Sequence, residues 1–543
     1  MTEKAKGKPR TRFRVWAFPF SRFTLCFGFR ASNFEFPHLE VTVRTIATTL
    51  TLLLLPMMCM GALPNAIEIN NKPGGWQIYP GQGYRYGPSI IANADGSLDM
   101  WFAASCYDGK HWDQIRYRHS PDGGRTWTKP DDEVVITPTD DSPDKCSCCD
   151  PGAIRFGGYY YVGYTAVDTK DGSSNHVFIA RSKSPGGPYE KWNGKGWGGS
   201  AAGNGAGSAS GGGPPAVFLR YTGDPKQWGC GEPSFVFKDG KLYVFYTWND
   251  GKLFTNLAVC NDPSAEDWPA HMILKGHVVR HSDYAEDSLD VKYVDSLKRF
   301  VAVATNNRIF TLNADVSVWQ SADGVSWTRT PFRGVRVQTG AHNMGISGNE
   351  TGHIDGKTKP FISYSYGWPG KDFTGQDFGW ANWATYIDPV AISATSFGLP
   401  VHIEVSSSLN WDWSSPRAID GDPKTAWSSS EHDKPDAEEW AWIWLGAPYA
   451  VDGLEVTPRP GGHGFPVDFV LQCSGDGKKW TDIKSYESYP NPGDKSQRLL
   501  FGKTITASRF RVLAKKMSQD EDGKHCLQLA EITTLNHLSG GNH

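Results

Sequence analysis

Between residues 75 and 395 the apolar and polar positions repeat one unit: a small or acidic residue, a short apolar strand, a turn, and a second strand rich in aromatics. The first instance runs from Gly87-Pro-Ser-Ile-Ile to MWFAA (100–104), and the second from Asp150-Pro-Gly-Ala-Ile to YVGYT (161–165). Glu232-Pro-Ser-Phe-Val then leads to YVFYT (243–247), Asp287-Ser-Leu-Asp-Val to VAVAT (301–305), and His342-Asn-Met-Gly-Ile to FISYS (361–365). Asp150 and Glu232 stand at the same distance from their second strands. The long interval between them holds Gly198–Pro215, a Gly/Ala/Ser tract that reads as a flexible insertion. Units of this length, each carrying several short strands, are propeller blades, and five fit before the composition changes near Phe397. The spacing predicts a five-bladed β-propeller over residues 67–397, within an all-β chain.

In a propeller the innermost strands of all blades begin at one mouth of the axial channel. Asp150, Glu232, Asp287 or Asp290, and His342 are therefore expected around one pocket, although they are far apart in sequence. Two turns, Ser120-x-Asp122-x-Gly124-x-x-Trp127 and Ser321-x-Asp323-Gly324-x-x-Trp327, have the Asp-box pattern, and a similar one recurs at Ser474–Trp480. An Asp side chain satisfies the turn amides while the Trp packs beneath, so these turns are structural.

Composition refines the picture. The formal net charge of −3 gives no electrostatic reason to expect nucleic acid or an anionic membrane surface as partner. Aromatic residues make up 13% of the chain, with 22 Trp, which suits short strands and loops carrying flat platforms for sugar faces. Arg44 precedes the apolar run Ile46–Met60, followed by Gly61-Ala62. That run is a signal-peptide core, too short to span comfortably as a transmembrane helix, so export without stable membrane insertion is expected. A retained anchor is the alternative. Residues 1–66 are set aside as extension and signal segment, with the true start expected downstream of residue 1. Eight cysteines remain, and Cys473 with Cys526 is the pairing that position suggests. The Cys146-x-Cys148-Cys149 cluster lacks a second CxxC and His partners, so it is not read as a zinc site.

Two stretches, CCDPGAIRFGGYYYVGYTA (148–166) and GCGEPSFVFKDGKLYVFYTW (229–248), carry a resemblance to the five-bladed glycosidases of the arabinanase, β-xylosidase, invertase and levansucrase kind, including glycoside hydrolase family 43. That resemblance implies carboxylates on the first three blades: an Asp base, an Asp that tunes pKa, and a Glu acid. Asp150 matches the second and Glu232 the third. Gly87 stands where the base would be, so Asp287, Asp290 and Asp150 itself are the candidates for that role. Cleavage of a glycoside needs one protonated and one ionised carboxyl across the bond. On this reading Glu232 is the general acid, Asp150 the base or its modulator, and Asp287 and His342 contact substrate. A rival resemblance, to six-bladed sialidases, rests on YRYGPSIIANADGS (84–97) and would make Arg85 a carboxylate-binding arginine.

Residues 398–537 resemble the discoidin, or F5/8 type C, fold and so the family 32 carbohydrate-binding modules, leaving 538–543 as a tail. The matching stretches are RAIDGDPKTAWSS (417–429), WIWLGAPYAVDGLEV (442–456), PVDFVLQCSGDGKKWTDI (466–483), SRFRVLAKK (508–516) and LQLAEITT (527–534). The resemblance implies a jelly-roll β-sandwich with a structural Ca2+ held by Asp420, Asp422, Thr425 and Glu531, and sugar contacts from loops, with Trp411, Trp413 and His463 as candidates. The expected whole is an exported glycoside hydrolase tethered to a polysaccharide. The second expectation is a non-catalytic glycan-binding or adhesion protein whose propeller lost its base at Gly87.

Overall fold

The computed structural model describes residues 66–71, 75–78, 85–127, 133–169, 171–200, 213–281, 286–306, 315–334, 341–371, 377–395 and 400–536. Five β-sheets follow one another as blades 1 to 5, with a sixth, separate sheet at the C-terminal end. Blade 1 is Arg85–Ala92, Leu98–Ser105, Asp113–Ser120 and Glu133–Ile136. Blade 2 begins with Ser147–Phe156 and Tyr159–Val167, and blade 3 with Gly229–Lys238 and Lys241–Asn249. Blade 4 starts with Asp290–Val294 and Arg299–Asn306.

Blade 5 is built from both ends of the propeller sequence. Ala341–Ile346, Phe361–Lys371 and Asp377–Thr395 supply its inner strands, and Ala66–Asn71 lies antiparallel on the last of them, from Ala66↔Thr395 to Asn71↔Val390. The chain start thus closes the ring. This strand begins at Ala66, the last residue of the expected signal segment, whose remainder lies outside the described residues. Of the tract Gly198–Pro215, residues 198–200 end a fifth strand of blade 2, and 201–212 lie outside the described residues.

The alternating apolar faces predicted from sequence pack as seams between neighbouring blades. Trp101, Ile115 and Tyr117 of blade 1 meet Val162, Tyr164 and Phe178 of blade 2. Tyr161 and Ile179 meet Phe235 and Val244 across the next seam. Phe245 and Val259 then meet Val291 and Phe300, Val301 and Val318 meet Ile346 and Ile362, and Ile387 returns to Met100 and Phe102 of blade 1. The inner strands come close at the axis: a Cβ on Gly152 would stand 1.8 Å from the Pro233 carbonyl oxygen, so only glycine fits. The Asp boxes close as expected, with Asp122 Oδ1 accepting from the Thr126 amide and Asp323 Oδ1 from those of Val325 and Ser326.

The C-terminal sheet runs in the order Trp427–Ser428, Gln528–Asn536, Glu439–Pro458, Gln497–Met517, Pro466–Ser474, Thr481–Tyr486, with His402–Val405 on the long central strand. It wraps one core around Trp427, Leu454, Phe469 and Phe510. All eight cysteines of the described residues are free, so the expected Cys473–Cys526 pair does not form; Cys526 is buried beside Asp520 instead. Among the described residues no helix is long and apolar enough to cross a membrane.

Sandwich and propeller touch at blade 4. Asn306 approaches His402 at 3.3 Å, and the Arg329 guanidinium lies 5.6 Å from the Trp444 ring. Arg329 in turn donates to the buried Glu286 through Nε and Nη2, and His281 Nδ1 stands 2.7 Å from the other carboxylate oxygen. Burial alone would raise the Glu286 carboxyl, but the Arg329 charge and His281 outweigh it and hold it at about 2. Replacing Arg329 by Met leaves that charge buried without its guanidinium partner, with an expected loss of about 3–5 kcal/mol in denaturant unfolding. Adding Glu286→Gln to Arg329→Met should recover part of the loss, and a double variant as unstable as the single one would count against the pairing.

Candidate functional site

The mouth of the channel is set by a repeated irregularity. The inner strands of blades 1, 2, 3 and 5 each break register over two residues, between Tyr86 and Ser89, Cys149 and Gly152, Gly231 and Ser234, and His342 and Gly345. Such bulges re-aim side chains. The first residue in each is Gly87, Asp150, Glu232 or Asn343, and all four are left-handed, with φ of 62°, 46°, 53° and 46°. Non-glycine residues in that region store strain and concentrate at functional sites. Blade 4 supplies Ser288 at the matching place, so five triplets line the channel: 87–89, 150–152, 232–234, 288–290 and 343–345.

This register corrects the sequence reading by one residue in two blades. Asn343 and Ser288, rather than His342 and Asp287, are the counterparts of Asp150 and Glu232. The Asn343 amide nitrogen donates to Asp150 Oδ1 at 3.4 Å and to Glu232 Oε1 at 3.2 Å. The two carboxylate oxygens are therefore no further apart than those two lengths laid end to end. Asn343 is buried, and its own Oδ1 has no hydrogen-bond partner among the described residues. The Glu232 amide donates to the Thr165 hydroxyl at 2.8 Å, and the same hydroxyl bonds the Asp150 carboxylate. Burial raises the Asp150 carboxyl; Cys149 and the charge of His342 oppose, and the charge of Asp287 adds.

His342 and Asp287 form a dyad beside this pair. Asp287 Oδ2 stands 2.6 Å from His342 Nδ1 and also accepts from the Asn343 amide at 3.1 Å. Asp287 thereby fixes Nδ1 as the donor and locks the backbone that presents Asn343. Tyr86 stacks on the imidazole with centroids 6.0 Å apart and donates its hydroxyl to Asp113 Oδ2 at 3.0 Å. Asp113, Tyr86, Thr165 and Asn343 are the members that sequence reasoning missed. Asn343 sat one residue from a named candidate, whereas Asp113, a single acid opening a strand, gave no signal at all.

Asp290 is placed elsewhere. Its Oδ1 accepts from Ser234 Oγ at 2.6 Å and Lys292 Nζ at 2.5 Å, and its Oδ2 accepts from the Ile346 amide at 2.8 Å. It pins blades 3, 4 and 5 together in the channel wall, and among the described residues no hydrogen bond joins it to Asp150 or Glu232. Arg85 opens the inner strand of blade 1, half-buried, opposite Ala104, and among the described residues no arginine lines the channel. With five blades closing the ring, the six-bladed alternative that gave Arg85 its role does not hold. The open pocket that the channel triplets line has a volume of about 50 Å³, room for water but not for a whole sugar ring.

In the sandwich, Thr425 Oγ1 has one hydrogen but three acceptor oxygens around it: Asp420 Oδ2 at 2.8 Å, Asp422 O at 3.2 Å and Arg417 O at 3.4 Å. Glu531 Oε1 accepts from the Gly421 amide at 2.6 Å on the same turn. Burial raises the Asp420 carboxyl, and the Asp422 charge adds to this. Among the described residues no three or more His, Cys, Asp or Glu are arranged to hold a metal, so any cation here would rest largely on carbonyl and hydroxyl oxygens. Trp413 lies under the Arg459 guanidinium at 4.7 Å, His463 is half-exposed at 4.0 Å from Glu521, and the Trp411 side chain lies outside the described residues.

Residues 402–532 match the F5/8 type C domain family. No curated protein matches the chain. Among solved structures, the chain is similar to Zg3597, a family 117 glycoside hydrolase of the marine bacterium Zobellia galactanivorans. The identity is 15%, over 60% of this chain and 90% of that one, with a TM-score of 0.39. The α-L-arabinofuranosidase PaAbf62A of Podospora anserina is 12% identical over 60% of this chain and 98% of its own, at a TM-score of 0.37. A module termed CBM32-3, from a family 31 glycoside hydrolase of Clostridium perfringens, is 21% identical over 24% of this chain and 88% of its own, at a TM-score of 0.22.

Asp113 gives the site a stability signature. Burial lifts its carboxyl to about 7 against the hydrogen bond from Tyr86, with the Asp150 charge adding to the rise. The fold therefore keeps a proton that the unfolded chain releases near pH 4, and stability falls as pH rises from about 4 to about 7. Asp113→Asn carries no such proton, so its melting temperature relative to the parent should climb between pH 5 and pH 8. A difference that stays constant with pH would mean that Asp113 ionises as an ordinary carboxylate.

Proposed function

We propose that the chain is an exported glycoside hydrolase, acting on an oligo- or polysaccharide at the mouth of the propeller and held to its substrate by the sandwich. The observation that carries this reading is the Asp150–Glu232 pair, two carboxyl groups bridged by one amide in a mouth crowded with further acids. Hydrolysis of a glycoside needs an acid for the leaving oxygen and a base or nucleophile on the other side, with carboxyl separations from about 5 to 9.5 Å depending on stereochemistry. The bridge through Asn343 keeps the two bonded oxygens below the upper end of that range. Glu232, the longer of two side chains from equivalent bulges, protonates the leaving oxygen. Asp150 is the base, and its raised carboxyl makes it a stronger one. His342, held by Asp287, orients the sugar.

A panel of arabinans, xylans, marine galactans and sialosides, with released sugar as readout, tests the assignment on the chain from Ala66 onward. Glu232→Gln and Asp150→Asn should each lower kcat/KM by at least ~10²-fold, the usual scale for removing an acid or base. Release that survives both substitutions would refute the pair. Binding without release would instead favour the adhesion reading.

The turn around Thr425 fits a hard cation, and Ca2+ is the ion we propose there. The Arg417 and Asp422 carbonyls, Thr425 Oγ1 and the Asp420 carboxylate would hold it, with Glu531 fixing the turn through the Gly421 amide. Chelation should lower the melting temperature of the sandwich, and added Ca2+ should restore it. In Asp420→Ala both shifts should vanish; an unchanged response in that variant would place the ion elsewhere.

A further inference from the structure

Among the tryptophans whose side chains are described, Trp112 alone is strongly exposed, at 40% of its surface. It ends the loop that joins Leu98–Ser105 to Asp113–Ser120, at the same end of blade 1 as the bulge Gly87-Pro88, because Ser105 pairs with Asp113 and Ala104 with Arg85. The backbone is fixed from both sides: the Trp112 amide donates to the Cys146 carbonyl, and its carbonyl accepts from Cys106, each at 2.9 Å. Gly172 of blade 2, at φ +72°, closes against one indole edge, and a Cβ there would stand 3.5 Å from the ring. The indole N–H bonds to nothing among the described residues. The next residue, Asp113, takes the Tyr86 hydroxyl beside His342, so the backbone that carries the exposed ring runs on into the surroundings of the mouth. From Gly172 the chain runs to Asn175, whose carbonyl receives the Cys230 amide two residues before Glu232.

A rigid backbone presenting a bare aromatic face does not serve the fold, since the large apolar seams lie elsewhere. A polar frame surrounds it. His111 stands 2.6 Å from Asp108 Oδ2 and 3.1 Å from Asp140 Oδ1, and Lys110 also pairs with Asp140. Both carboxylates remain about half-exposed, open to hydroxyl donors. Two carboxylates against one ammonium and one imidazole offer no net positive charge to bind an anionic sugar.

We propose that Trp112 is the platform of a second subsite, stacking the apolar face of a neutral sugar ring while Asp108 and Asp140 accept its hydroxyls. The proposal rests on the hydrolase reading for its biological use, and it assigns the substrate class: a neutral chain long enough to reach from Glu232 to Trp112.

Oxidation by N-bromosuccinimide, read residue by residue by mass spectrometry on the full chain, tests this without relying on turnover. The probes are neutral hexasaccharides of arabinose, xylose and galactose, compared with an oligogalacturonate and a sulfated galactan hexasaccharide. Protection of Trp112 by at least one neutral probe and by neither anionic one supports the subsite. Oxidation at the same rate in every mixture, or protection by the anionic probes, overturns it. Cleavage dependent on Glu232 is scored in the same mixtures, so protection without cleavage sinks the hydrolase reading and leaves the subsite standing. Where cleavage occurs, Trp112→Ala should raise KM about tenfold on the hexasaccharide and leave a disaccharide unaffected.

Discussion

Closure of the ring is the constraint on which the mouth depends. Each carboxyl or amide at the mouth comes from a different blade, and no blade alone places two of the bridged groups within hydrogen-bonding reach. The antiparallel pairing of Ala66–Asn71 with Asp377–Thr395 turns five sheets into a closed ring, and only then can Asn343 of blade 5 reach both Asp150 of blade 2 and Glu232 of blade 3. The apolar seams fix the angle between neighbours. Gly152 sets how near the inner strands of blades 2 and 3 approach.

Polar pins act within those seams. Lys191 and Asp144 are wholly buried and joined at 2.6 Å, with Thr137 and Thr139 taking further hydrogens of the ammonium and Tyr164 donating to the carboxylate. Glu286 with Arg329 and His281 does similar service next to Asp287, where blade 4 meets the sandwich. Buried charge pairs of this kind add little net stability compared with apolar packing, yet they tolerate few alternative arrangements. Glu286 directly precedes Asp287, so its pins steady the backbone that carries the partner of His342.

Much of this was legible in sequence because blades are local. A strand, a turn and an aromatic strand repeat within a few dozen residues, and that period gave the blade count, the mouth and the pair Asp150–Glu232. The sandwich was legible through its long matching stretches. What escaped depended on register and on contacts across blades. In blade 5 the bulge starts one residue after His342, and blade 4 meets the channel first at Ser288, so Asn343 and Ser288 stand where the repeat points to His342 and Asp287. Asp290 looked like a catalytic acid because nothing in its own blade reveals Ser234 of blade 3 and the Ile346 amide of blade 5 as partners. Asp113 and Tyr86 meet only across Leu98–Ser105, the strand that lies between theirs in the folded blade.

The strand that closes the ring also orders events in time. Ala66–Asn71 is the first part of the propeller to be synthesised, and its partner, ending at Thr395, is the last. Until that partner arrives, the strand carries an unmatched row of backbone groups and the buried face of Ile69, an invitation to pair wrongly. The native contact spans almost the whole domain, so its formation is slow by topology alone. A chaperone that shields this one segment would therefore protect the whole propeller during its making.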